Sequence, residues 1–175
     1  MISYIHDPKL RDVYIEIMRE VLLSMDRNGQ KDWDKYFLGI AEAASKKSRD
    51  PSTKVGAVIV RPNKSICSTG FNGFPRKMRD DPELYADRET KYKRIIHGEM
   101  NALIFAGEDI TGYTLYTWPF PPCDRCALHM AQAGIKRVVA PKPTEEQLSR
   151  WKTSFEDAQS YFDEAGVILY LVNGE

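Results

Sequence analysis

Apolar residues recur at helical spacing at the start of the chain, where Leu10, Val13, Tyr14, Ile17, Met18, Val21 and Leu22 share one face of residues 7–25. That pattern predicts an amphipathic N-terminal helix, stopped by the turn pair Asn28-Gly29. A second helix is expected over residues 33–47, with Tyr36, Phe37, Ile40, Ala43 and Ala44 along one face and Asp50-Pro51 marking its end. Residues 54–61 form a run of β-branched and small apolar residues closed by Pro62-Asn63, and residues 65–71 can pair back on them as a hairpin. Residues 72–93 mix Gly, Pro and both signs of charge with weak periodicity, so a long loop able to carry function is expected there.

From Ile95 onward helices and strands alternate. The pattern predicts helix 97–106, strand 113–117, helix 122–133, strand 137–140, helix 145–165 and strand 167–172, with Gly107, Gly134 and Gly166 placed at helix ends. Strands separated by helices imply βαβ crossovers and a sheet covered by helices, hence an α/β sandwich. The length of 175 residues suits one domain over residues 1–175, and no repeat or linker interrupts it.

Composition narrows the partners. Lys plus Arg and Asp plus Glu both number 25, so no basic excess is present to hold a nucleic acid, and a small-molecule substrate is favoured. Apolar stretches such as residues 55–60 and 167–172 are far short of the roughly 20 residues that span a bilayer, so no membrane association is expected. Residues 1–11 mix charges with Pro8 where a signal peptide would be apolar, which gives the expectation of a cytoplasmic protein. Three cysteines, Cys67, Cys123 and Cys126, make no disulfide framework and leave thiolates free for a metal.

The chemistry concentrates in two short stretches. His97-Gly98-Glu99 opens one predicted helix, and Pro121-Pro122-Cys123-Asp124-Arg125-Cys126 opens another. Cysteines three apart on a helix share a face and can grip one ion, with an imidazole as third ligand. Three protein ligands leave a fourth position open, and zinc in such a site lowers the pKa of bound water to roughly 7. Helix N-termini add positive partial charge that favours thiolate, and Pro122 suits a first helical turn. Glu99, two positions from His97, is the natural general base and acid. Alone, either fragment is a weak signal; H-x-E followed by P-C-x-x-C is the known signature of zinc nucleobase deaminases. A fourth thiolate from Cys67 would close the site and make the zinc structural, but Cys67 falls in a predicted strand, as an ordinary buried cysteine would. His129 follows Cys126 by three residues and reads as a core or surface histidine; His6 reads as exposed.

With these motifs in view, the sequence resembles the deoxycytidylate deaminase family of the cytidine-deaminase superfamily. The stretches that carry the resemblance are Asp50-Pro-Ser-Thr-Lys-Val-Gly-Ala-Val-Ile-Val60, Gly70-Phe-Asn-Gly-Phe-Pro75, His97-Gly-Glu-Met-Asn-Ala102 and Pro122-Cys-Asp-Arg-Cys-Ala127, within residues 33–172. It implies a three-layer α/β/α sandwich around a five-stranded mixed sheet, cytidine deaminase-like. It also implies deamination of dCMP to dUMP and ammonia, supplying thymidylate precursors. One catalytic Zn2+ per chain would be held by His97, Cys123 and Cys126, with Glu99 as proton shuttle and Asn72 in contact with the nucleotide sugar. Homo-oligomers are implied as well, with activation by dCTP, inhibition by dTTP and Mg2+ as the companion ion of those effectors. Gly98 stands where the family usually has alanine, at a place where backbone groups can hold the base; the first thirty or so residues lie outside the common core.

A substrate phosphate needs cations, and Arg49, Lys54, Arg76 and Lys91 lie near the motif loops, Arg49 and Lys54 being the assigned contacts. Trp118 and Phe120, beside Pro119, Pro121 and Pro122, offer either a wall against the base or simple packing of a turn. Two other readings stay open: another superfamily deaminase acting on a nucleoside, a tRNA adenosine or a pterin-like base, and a nucleotide-binding regulatory protein with a closed structural zinc.

Overall fold

The structure, a computed structural model, describes residue 10, residues 13–17 and residues 29–173. Leu10 and residues 13–17 are helical, with Leu10, Val13 and Ile17 exposed. The rest of the helix expected over residues 7–25 lies outside the described residues.

Helix α1, Gln30–Ser45, buries Asp34, Phe37, Leu38, Ala41 and Ser45. The buried face is therefore rotated from the one the apolar pattern predicted: Tyr36 is exposed and the charged Asp34 is inside. The reason is electrostatic pairing. Arg137 grips both Asp34 oxygens at 2.7 and 2.6 Å and the Tyr116 hydroxyl donates to Asp34 Oδ1 at 2.8 Å, so the buried carboxylate has partners. α1 starts three residues before the expected residue 33 and ends two before the expected residue 47, ahead of the break at Asp50-Pro51, where Asp50 accepts from the amides of Ser52 and Thr53.

Strands β1, Gly56–Val60, and β2, Ile66–Phe71, form the expected antiparallel hairpin, with Gly56 opposite Phe71. β3, Thr114–Trp118, lies antiparallel on the other side of β1; β4, Arg137–Pro141, and β5, Ile168–Val172, continue in parallel. The order β2-β1-β3-β4-β5 makes a mixed five-stranded sheet. Strand alternation divides the core in two. Val58, Val60, Tyr116 and Val139 pack with Phe37, Leu38 and Ala41 of α1 on one face. Ala57, Ile59, Leu115 and Val138 pack on the other against Ala102, Ala127, Met130, Ala158 and Phe162. Those residues belong to helices α4, Gly98–Ile104, α5, Asp124–Gln132, and α6, Glu145–Ala165. The result is a three-layer α/β/α sandwich. α6 has a Thr144/Gln147 capping box at its start and ends at the expected Gly166, which is in the left-handed region (φ 72).

Residues 72–93 are not a plain loop. They contain two short helices, α2, Pro82–Ala86, and α3, Arg88–Arg94, each too short to display a helical period. Pro82 opens the first, and Asp87 caps the second by accepting the Glu89 N–H. Stacked Phe74 and Tyr85 rings and the hydrogen bond from the Tyr85 hydroxyl to Asp80 fold this segment on itself.

Candidate metal centre and cleft

His97 and Cys123 are the N-caps of α4 and α5, both in extended backbone that turns their side chains out ahead of the helices. Cys126 sits in the first turn of α5. His97 Nδ1 lies 3.4 Å from Cys123 Sγ and 3.3 Å from Cys126 Sγ, and the three donor atoms fall within 4.8 Å of one another. Tetrahedral ligands bound to zinc at their usual lengths stand about 3.5–3.8 Å apart, so one nitrogen and two sulfurs in this arrangement fit that ion. Among the described residues no fourth His, Cys, Asp or Glu joins the group.

The three donors share protons among themselves. Hydrogen bonding from Cys126, aided by His97, pulls the Cys123 thiol down to about 4. The same contact with Cys123, reinforced by Glu99, pushes His97 up to about 9. Cys126 keeps its proton more strongly than an ordinary thiol, because it donates to Cys123 and is buried beside Glu99.

Glu99 is 2% exposed. Its Oε1 lies 3.5 Å from the Thr117 hydroxyl and its Oε2 lies 3.9 Å from Cys126 Sγ, which sets the carboxyl at the edge of the donor cluster. Burial raises its pKa, and His97 opposes that shift. Gly70 lets this helix start approach the sheet: a Cβ there would overlap Gly98 O and Ala102 N. Gly98 is itself buried, and a methyl on it would stand 3.0 Å from Val55 O.

A cleft of about 140 Å³ opens above these groups. His97, Glu99 and Cys123 lie at one end of its lining; Phe120, Trp151 and Phe155 form an aromatic wall; Asp50, Thr53, Asn72, Lys91 and Tyr92 form the other side. Paired backbone bonds between Gly73 and Ile96 bring Asn72 beside His97. Asn72 Oδ1 accepts from Val55 N–H at 2.8 Å, and its Nδ2 donates to Thr53 O at 2.8 Å and to Asp50 Oδ2 at 3.5 Å. Asp50, 1% exposed, also accepts from Ser52 N, Ser52 Oγ and Thr53 N. Burial opposes ionisation of Asp50, but Lys91 and these donors outweigh it and leave its pKa below the usual carboxylate value.

The cations divide differently from the sequence expectation. Arg49 is exposed and bound to Asp80, and Lys54 is exposed; neither lines the cleft. Arg76 stacks over Phe105. Lys91 is the cation that reaches the cleft. Phe120 lines it, whereas Trp118 packs on the α1 side of the sheet. Cys67 is in β2, with its thiol directed to Ala106 O, and His129 bonds to Arg125 O in its own helix; neither joins the cluster. His6 lies outside the described residues. Tyr92, Trp151 and Phe155 were missed as cleft residues, since Trp151 and Phe155 at i, i+4 look like any core stripe.

Residues 31–142 match the family model for the cytidine and deoxycytidylate deaminase zinc-binding region. The chain belongs to this deaminase family. It is 42% identical over 135 residues to an uncharacterized deaminase in the luxG 3′ region of Aliivibrio fischeri, spanning 77% of this chain and 90% of that one. The deoxycytidylate deaminase of Mus musculus is 35% identical over 119 residues, which cover 65% of this deaminase and 66% of the mouse protein. The crystal structure of the cyanophage S-TIM5 dCMP deaminase in complex with dCMP and dUMP superposes with a TM-score of 0.63 at 27% identity, covering 79% of this chain and 95% of the other. Its likeness agrees with the sandwich and mixed sheet described above.

Proposed function

We propose that this deaminase converts dCMP and water to dUMP and ammonia. The observation that carries the reading is the buried Glu99 carboxyl set against the His97–Cys123–Cys126 cluster at the end of a cleft with an aromatic wall. The relatives named deoxycytidylate deaminase and the dCMP-bound phage structure supply the substrate.

His97, Cys123 and Cys126 would hold one zinc ion, which supplies activation of water at neutral pH. Glu99 takes one proton from the water that attacks C4 of cytosine and delivers it to N3; it then takes the second from the new C4 hydroxyl and delivers it to the exocyclic nitrogen, which departs as ammonia as the C4–N bond breaks and the C4 carbonyl forms. Thr117 holds Glu99 Oε1, leaving Oε2 on the cluster side to exchange the proton. Phe120, Trp151 and Phe155 give the pyrimidine an apolar wall and restrict water. Assembly into homo-oligomers, regulation by dCTP and dTTP with Mg2+, and a cytoplasmic location enter this proposal from the family resemblance.

Ammonia release from dCMP, deoxycytidine and an adenosine-containing tRNA anticodon stem tests the reading. Turnover of dCMP ahead of the other two is expected. No release from dCMP by zinc-loaded protein, or faster release from the tRNA, overturns it.

A further inference from the structure

Lys91 is 7% exposed, although it comes from a short helix in a segment of mixed charge. Its ammonium meets Asp50 Oδ1 at 2.8 Å, Asp50 Oδ2 at 2.8 Å and Ser52 Oγ at 2.6 Å. A lysine has three N–H donors, and three acceptors are already in place for them. The positive charge is matched by a carboxylate inside the same wall, so this side of the cleft presents an internal ion pair rather than a spare cation.

Asp50 is the hub of that wall. It gathers the amides of Ser52 and Thr53 and the Asn72 amide, and Asn72 in turn fixes Val55 N–H and Thr53 O. The Asn72 backbone N–H donates to Val55 O, the same oxygen against which Gly98 packs at the start of α4. A continuous set of contacts thus runs from α3 through residues 50–55 to the helix that carries Glu99.

We propose that Lys91 is a positioning residue whose ion pair with Asp50 locks residues 50–55 and Asn72 into the substrate-binding wall, and that it is not a ligand for the substrate phosphate. This rests on the reading of the cleft as a cytosine-nucleotide site. A phosphate ligand and a wall clamp differ in what their loss does to different substrates. Removing a phosphate ligand weakens the nucleotide and spares the nucleoside, which has no phosphate to lose. Removing a clamp misplaces the wall for both.

The test compares zinc-loaded wild-type enzyme with Lys91→Met, Lys91→Arg and the double variant Asp50→Asn/Lys91→Met, whose amide oxygen still accepts from Ser52 and Thr53. The double variant removes both charges together and so leaves no unpaired carboxylate to unfold the protein. Its kinetics on dCMP and deoxycytidine are read beside backbone hydrogen exchange. The clamp predicts KM raised about tenfold or more on both substrates in equal proportion, with a smaller change in kcat, in Lys91→Met and in the double variant. Lys91→Arg recovers most of the loss. The amides of Ser52, Thr53 and Val55 exchange faster while those of β3 to β5 do not. A KM increase confined to dCMP overturns the proposal in favour of a phosphate contact, and a fall in kcat at constant KM overturns it in favour of chemistry. Unchanged exchange at residues 52–55 also overturns it, and that readout needs no substrate. A wild-type enzyme inactive on dCMP counts against the proposed function instead, and leaves the exchange result to decide the clamp.

Discussion

Cys126 Sγ lies 3.9 Å from Glu99 Oε2, while the other Glu99 oxygen faces the Thr117 hydroxyl at 3.5 Å. The carboxyl therefore borders the donor cluster without completing it. Three side chains are close enough together to hold one ion, and the fourth, buried and adjacent, is the one we propose as the proton carrier.

Holoenzyme should contain about one zinc per chain. Cys67→Ser should keep both zinc and turnover, because the Cys67 thiol faces Ala106 O and stands outside the cluster. Cys126→Ser should lose the metal. Elemental analysis of the purified variants checks this, and zinc loss in Cys67→Ser would show that the site is a closed four-ligand one.

Zinc uptake by the metal-free protein should release protons in a pH-dependent way. Near neutral pH, Cys123, pulled down to about 4, is already a thiolate, whereas His97, pushed up to about 9, and Cys126 both hold protons that a metal must displace. About two protons should leave per zinc there, falling to about one once the pH exceeds the His97 value, so affinity should rise steeply with pH below that point and less steeply above it. Calorimetry in buffers of different ionisation enthalpy measures the count. A release that does not change on either side of about pH 9 would contradict the assignment to His97.

Stability and chemistry should separate at the Asp34–Arg137 pair. Arg137 pairs with Thr114 at the start of β3, whereas Phe120 and Cys123 follow the end of that strand. Arg137→Met leaves Asp34 buried without its cation, at a cost of about 3–5 kcal/mol. Tyr116→Phe removes one hydrogen bond to that charge, at about 1.5–3 kcal/mol. Denaturant titrations should show both losses, and kcat/KM of the folded variants should stay near wild type.

Gly70→Ala should disturb the centre although residue 70 is not in it. The added methyl meets backbone atoms of Gly98 and Ala102, which cannot rotate away as a flexible side chain can. Overpacking of this kind costs about 1–3 kcal/mol, and here the relief is movement of α4 with His97 and Glu99. Melting temperature and zinc affinity should therefore fall together. Gly98→Ala, with its nearest new contact at 3.0 Å, should be tolerated better.

The sequence made the metal centre legible because ligand spacing and helix punctuation are local: His97, Glu99, Cys123 and Cys126 act from helix starts that Gly, Pro and polar residues mark out. The strands were also readable, since continuous apolar runs such as Gly56–Val60 are buried on both faces. What escaped was set by distant partners. Nothing near Asp34 shows that Arg137 will neutralise it, so the α1 face was misjudged. Arg49, Lys54 and Lys91 look alike as isolated cations, yet two remain exposed and one is drawn inside by Asp50. Asn72 lines the cleft, but nothing near it in the sequence shows that its side chain also binds Val55 N–H and Thr53 O.

The central claim is that Glu99 carries the protons of deamination while the three-donor cluster holds the metal. The measurement that tests it most directly is ammonia release from dCMP by Glu99→Gln, with zinc content and melting temperature taken on the same sample. The amide keeps the size of the side chain and removes its exchangeable proton. The account predicts about one zinc per chain, a melting temperature close to wild type and a fall in kcat of about 10²–10⁴-fold or more. A folded, zinc-loaded Glu99→Gln enzyme that turns over dCMP at the wild-type rate would contradict it.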